Sequence, residues 1–116
     1  MVIDESVLYR RIGSPEIMRG QIAAVVAAME NRYVSVQIVP GDVTVTAGLS
    51  GAFVIASVDG SADTVYADCA AEGHVTDHPR DVAEVCMRYE ELRTEALPPR
   101  ASIDLMTKVM ETWTQT

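Results

Sequence analysis

Features that would point to a particular chemistry are scarce in this 116-residue sequence. No apolar run approaches the roughly 18 residues that a helix needs to span a bilayer. The N-terminus carries Asp4 and Glu5 and lacks the basic and apolar regions of a secretory signal. Two cysteines, Cys69 and Cys86, cannot form a structural metal site alone and make a weak case for a disulfide. We therefore expect a cytoplasmic protein that does not act at a membrane.

Positive charge is missing from the middle of the chain. No Lys or Arg occurs between Arg32 and Arg80, and the net charge of the whole sequence is −8. The same stretch contains six acidic residues, which are Asp42, Asp59, Asp63, Asp68, Glu72 and Asp77. Because binding to nucleic acid requires Lys and Arg to neutralise phosphates, we predict no direct nucleic-acid binding by this domain.

The hydrophobic content of 48 % is that of a folded globule, and the length predicts a single domain over residues 1–116. Ser14 and Pro15 are typical of a helix start. Val34, Val36 and Ile38 alternate as one face of a strand. The predicted elements are the edge strand Ser6–Arg11, the helix Pro15–Asn31, the strands Tyr33–Pro40, Ala52–Val58, Thr64–Cys69 and Gly73–Thr76, and helices over Pro79–Leu97 and Pro99–Trp113.

These elements predict an α+β fold. It would contain a mainly antiparallel sheet of four to five strands, one helix between the first two strands and two C-terminal helices. The loop Gly41–Gly51 is long enough to serve a function.

Candidate catalytic residues do not meet the requirements of their motifs. Ser50 lies in a segment similar to a hydrolase nucleophile elbow, but Ala52 replaces the second glycine and a strand follows where a helix is needed. His74 and His78 fall at a strand end and in a loop, which favours surface or capping roles over metal binding. Asp68 and Glu72 are better explained as a solvated acidic rim than as paired catalytic carboxylates. We predict no enzymatic activity, no catalytic residues, no metal and no cofactor.

Several segments in combination resemble the C-terminal domain of WhiJ-like, Xre-type helix-turn-helix regulators of actinobacteria, which are also described as antitoxin-like. The matching segments are Ile3–Leu8, Gly13–Gln21, Val34–Pro40, Gly48–Phe53 and Val65–Tyr66, with Tyr89, Leu92, Ala96–Leu97 and Ser102 in the C-terminal helices. The resemblance implies that an intact regulator has an N-terminal DNA-binding helix-turn-helix, which is absent from this chain. It also implies a small protein encoded by a neighbouring gene as a partner, and homodimerisation as a possibility.

Three functional hypotheses follow. The first is a regulatory domain that binds a partner protein or itself, with the acidic stretch steering a basic partner. The second is a small-molecule sensor with a pocket between sheet and helices and Gly41–Gly51 as its lid, and the least favoured is a small hydrolase. Trp113 is either a core residue or an interface anchor. The candidate partner- or ligand-binding residues are Gln37, Leu49, Ser50, Phe53, Tyr66, Asp68, Glu72 and Trp113.

Overall fold

The computed structural model describes residues 1–41, 52–69 and 72–114. Its helices are α1 (Pro15–Ala28), α2 (Pro79–Glu95) and α3 (Pro99–Thr114), and its strands are β1 (Val2–Asp4), β2 (Gln37–Val39), β3 (Phe53–Ala56), β4 (Thr64–Cys69) and β5 (Glu72–Thr76). The predicted α+β class is confirmed. The chain divides into two compact units, of which unit 1 comprises Met1–Val43 with Glu95–Thr116 and unit 2 comprises Thr44–Thr94.

Unit 1 is a small parallel β-α-β arrangement with α3 packed against it. β1 and β2 pair in parallel, with Ile3 opposite Ile38, and α1 lies between them in the chain. The buried core residues come from α1, β2, α3 and the segments next to β1 and β2, and are Leu8, Ile22, Val36, Ile38, Met106 and Val109. Helix α1 begins as predicted, because the Ser14 side chain accepts a hydrogen bond from the backbone N–H of Ile17 and Pro15 occupies the first helical position.

One edge of β2 is closed by the start of α3 rather than by another strand. The buried Ser102 hydroxyl accepts a hydrogen bond from the Ile38 N–H at 2.9 Å and donates one to the Leu97 carbonyl at 3.2 Å. The Leu97 N–H donates to the Ile38 carbonyl at 2.8 Å. Both backbone groups of the fully buried Ile38 are therefore satisfied by the segment that leads into α3.

Unit 2 contains a three-stranded antiparallel sheet in the order β3-β4-β5 and the helix α2. Gly60 adopts a φ of +81° in the turn between β3 and β4, which glycine accommodates without strain. Helix α2 begins at Pro79, and His78 Nδ1 accepts a hydrogen bond from the Arg80 N–H at 3.3 Å. His78 is exposed and makes this bond at the start of the helix, and His74 is exposed on β5, in agreement with the surface or capping roles predicted for the two histidines.

The sheet arrangement differs from the predicted one. The described strands form two separate sheets, and the pairing of β1 with β2 is parallel. The predicted strand Ser6–Arg11 is wrong, because Asp4 accepts a hydrogen bond from the Ser6 N–H and caps a 3₁₀ helix over Glu5–Leu8. The predicted strand Tyr33–Pro40 is shorter in the structure and covers Gln37–Val39. Its first residues form a turn instead, in which the Val34 N–H donates a hydrogen bond to the Asn31 carbonyl.

Candidate partner-binding surface

The β3-β4-β5 sheet aligns three apolar side chains across one face. Residues opposite one another in an antiparallel pair project from the same side of a sheet. Val54 is opposite Tyr66, and Tyr66 is opposite Val75. We call these three residues the Tyr66 row.

The Tyr66 row is open to solvent. Val54, Tyr66 and Val75 are 60 %, 45 % and 71 % exposed, whereas the neighbouring Val65, which projects from the opposite face, is fully buried. A half-buried antiparallel sheet ordinarily presents polar residues to water, so an aligned apolar row on its open face indicates a surface for contact with another molecule.

Unit 2 also carries most of the negative charge. It contains nine acidic and three basic residues, a net charge of −6, whereas unit 1 has eight acidic and six basic residues and a net charge of −2. All three basic residues of unit 2 lie in α2, which leaves the sheet and its turns without a cation. Two of them, Arg88 and Arg93, form ion pairs with Glu84 and Glu90 on the same helix. The Tyr66 row therefore belongs to a strongly acidic unit.

Two of the candidate residues predicted from sequence have structural partners in unit 1. The Gln37 side chain donates a hydrogen bond from Nε2 to the Leu97 carbonyl at 3.2 Å. Trp113 packs against the core and donates from Nε1 to the Leu8 carbonyl at 2.9 Å. These contacts favour the core role for Trp113 over the interface-anchor role.

Four further candidates lie in the sheet of unit 2, but the sheet does not bring them all together. Tyr66 is on the open face, whereas Phe53 is opposite Ala67 and shares the other face with it. In the backbone register, Asp68 is opposite Gly73 and Glu72 is opposite Cys69.

The remaining candidates, Leu49 and Ser50, lie outside the described residues, as does the predicted lid Gly41–Gly51 apart from Gly41. The Gly41 N–H donates to Glu5 Oε1 at 2.8 Å. The other oxygen of the same carboxylate accepts from the Tyr9 hydroxyl, and this hydrogen bond, aided by partial burial, raises the pKa of Tyr9. These bonds connect Gly41 to the first turn of unit 1.

Val54 and Val75 were not among the candidates. The alternation in each strand shows which residues share a face, but only the tertiary structure shows which face is left uncovered.

Across the residues that the structure describes, no group of three or more His, Cys, Asp or Glu side chains is placed to hold a metal ion. Within the same ranges, none of the helices combines the length and hydrophobicity that a membrane span requires. Cys86 is a free, half-buried thiol on α2.

The described residues form a small α+β protein with an exposed apolar row on one face of its antiparallel sheet. The chain belongs to the family described as "Domain of unknown function (DUF5753)", whose model matches residues 1–108. Neither the curated proteins nor the solved structures gave a significant match.

Proposed function

We propose that this chain is a non-enzymatic regulatory domain that binds a partner protein through the open face of its β3-β4-β5 sheet. The observation that carries the proposal is the Tyr66 row, which aligns three exposed apolar side chains on three adjacent strands. Tyrosine is enriched at the energetic centres of interfaces, because it offers a large apolar ring and a hydroxyl at low entropic cost.

The charge of unit 2 specifies the chemistry of the partner. A surface with a net charge of −6 attracts a basic protein and accelerates its diffusional encounter. The apolar row would then supply the contact that slows dissociation. The partner surface should present an apolar side chain surrounded by Lys or Arg.

The regulatory context rests on the resemblance to WhiJ-like, Xre-type regulators. In that context the domain acts in the cytoplasm of an actinobacterium, its partner is the small protein encoded by the neighbouring gene, and a separate helix-turn-helix contacts DNA. The acidic charge supports this division of labour, because the sheet and its turns offer no cation to a phosphate.

Co-purification tests the proposal. The chain is tagged, co-expressed with the product of the neighbouring gene and isolated at low salt. We expect the partner to be retained in near-equimolar amount and to be released as salt is raised, since screening weakens attraction between exposed charges. The double substitution Tyr66→Ser with Val75→Thr should reduce retention at least about tenfold, because two of the three exposed apolar side chains of the row are replaced, including its aromatic ring.

The matched control is Met87→Gln, which removes an exposed apolar side chain from α2, outside the sheet of the same unit. It should retain the partner as the unmodified chain does. Failure of the unmodified chain to co-purify would overturn the proposal, and equal retention by the double variant would overturn the assignment of the surface.

A further inference from the structure

A second exposed apolar surface, of opposite charge, lies around the start of α1. We call it the N-terminal patch and define it by Arg10, Arg11, Ile12, Ile17 and Arg19. Ile12 and Ile17 are both more than half exposed, although each is a large aliphatic residue. An exposed aliphatic pair flanked by arginines has the composition of an interface.

The turn at Gly13 holds three members of the N-terminal patch together, which are Arg11, Ile12 and Ile17. Arg11 Nε donates to the Gly13 carbonyl at 3.0 Å. A Cβ atom at Gly13 would lie 2.8 Å from Ile17 Cδ1, which places that side chain directly against the turn. Ile12 belongs to the same turn, since its N–H donates to Met18 Sδ at 3.4 Å.

The arginines of the patch are available to a carboxylate on another molecule. Arg11 donates a hydrogen bond to the Gly13 carbonyl, and Arg19 donates one to the Thr114 hydroxyl. In the described part of the chain, none of the three patch arginines forms an ion pair within 4.0 Å. Glu16 is the one acidic residue between Arg10 and Arg19, so this segment contains three positive charges and one negative charge.

We propose that two copies of this chain associate head to tail, with the N-terminal patch of one copy docked on the Tyr66 row of the other. Charge complementarity supports the second copy as the occupant, because the patch is basic and unit 2 has a net charge of −6. Each surface also presents exposed apolar side chains for the other to cover. The inference rests on the proposed function, since it assigns a binding partner to the same sheet face.

A contact between two different surfaces has a consequence that a symmetric contact lacks. In an open pair, one copy retains an unused sheet face and the other retains an unused patch, unless the arrangement closes on itself. Two variants that each lack a different surface can therefore still form one intact contact when they are mixed.

This complementation is the test, measured by sedimentation velocity of the complete chain. The patch variant carries Arg10→Glu and Ile12→Ser, and the sheet variant carries Tyr66→Ser and Val75→Thr. We expect the unmodified chain to self-associate as its concentration rises, and to do so with lower affinity in high salt. Each variant alone should self-associate with an affinity at least about tenfold lower than that of the unmodified chain. An equimolar mixture of the two variants should recover a heterodimer with an affinity close to that of the unmodified contact, and Met87→Gln should associate normally.

Three results would overturn the inference: an unmodified chain that stays monomeric, a patch variant that associates like the unmodified chain, or a mixture that fails to recover association. A sheet-to-sheet dimer gives the second result. The proposed function is tested separately, because the patch variant should still retain the basic partner. Loss of self-association with partner binding intact would therefore leave the proposed function standing.

Discussion

Replacing Ser102 by alanine should destabilise unit 1 by about 1.5 kcal/mol. The Ser102 hydroxyl accepts the N–H of Ile38, and both residues are fully buried. Leaving a buried donor without an acceptor costs about 1–3 kcal/mol. Alanine recovers about 0.5 kcal/mol through its higher helix propensity. The Leu97 carbonyl adds little, because the Gln37 side chain still donates to it.

Urea denaturation followed by circular dichroism measures the loss of stability. For a domain of this size, 1 kcal/mol corresponds to about 4 °C in Tm, so a thermal scan should show a decrease of about 6 °C. Amide hydrogen exchange gives a local measurement, since the Ile38 N–H should exchange faster in the variant than in the unmodified chain.

Thr107→Ala is the matched control for Ser102→Ala. Thr107 lies on the same helix and its hydroxyl donates to the Ile103 carbonyl at 2.9 Å, but the side chain is exposed. Its removal should change the free energy of unfolding by no more than about 0.5 kcal/mol. If Ser102→Ala unfolds at the same urea concentration as the control and leaves Ile38 exchange unchanged, the Ser102 hydroxyl does not close the edge of β2.

Two further predictions concern the start of unit 1. Gly13→Ala should destabilise the protein by about 1 kcal/mol, because Gly13 has a φ of +76° and the new Cβ would collide with Ile17. Gly20→Ala should instead stabilise it by about 0.5–1 kcal/mol, because its Cβ would meet open space within α1. Urea denaturation that shows a change of the same sign for both variants would contradict this prediction. The pKa of Glu16 is lowered by a hydrogen bond from its own backbone N–H and then by the Ser14 hydroxyl. Since the folded pKa lies below the unfolded one, the stabilisation is present above the ordinary glutamate pKa and is lost as pH falls through the folded value. A ¹³C NMR titration should show that Ser14→Ala returns the Glu16 pKa toward its ordinary value; an unperturbed Glu16 in the unmodified chain would refute the hydrogen bonds.

Elements whose signals are local could be predicted from the sequence. Strand Thr64–Cys69 has the predicted bounds, because alternating β-branched and aromatic residues follow a glycine turn. Helix α1 starts where Ser14 and Pro15 place it, although it ends at Ala28 rather than Asn31, where the chain continues in tight turns.

Elements that depend on distant partners could not be predicted. The strand β1 is three residues long and forms against β2, more than thirty residues away in the chain. Ser102 resembles an ordinary polar residue of an amphipathic helix, and its role depends on Ile38, 64 positions earlier. Of the Tyr66 row, only Tyr66 was a candidate, because local alternation does not show which sheet face remains open.

The residues that form the core and those of the proposed binding surface are different, so stability and the proposed recognition can be measured separately. The core cluster of unit 1 consists of buried side chains, and the Ser102 hydroxyl satisfies a buried amide within it. The members of the Tyr66 row are exposed and belong to unit 2. Polar substitution at exposed strand positions changes stability by about 1 kcal/mol or less. A loss of binding at least about tenfold in a row variant that remains folded therefore reports the surface itself, whereas Ser102→Ala should alter unfolding without removing either docking surface.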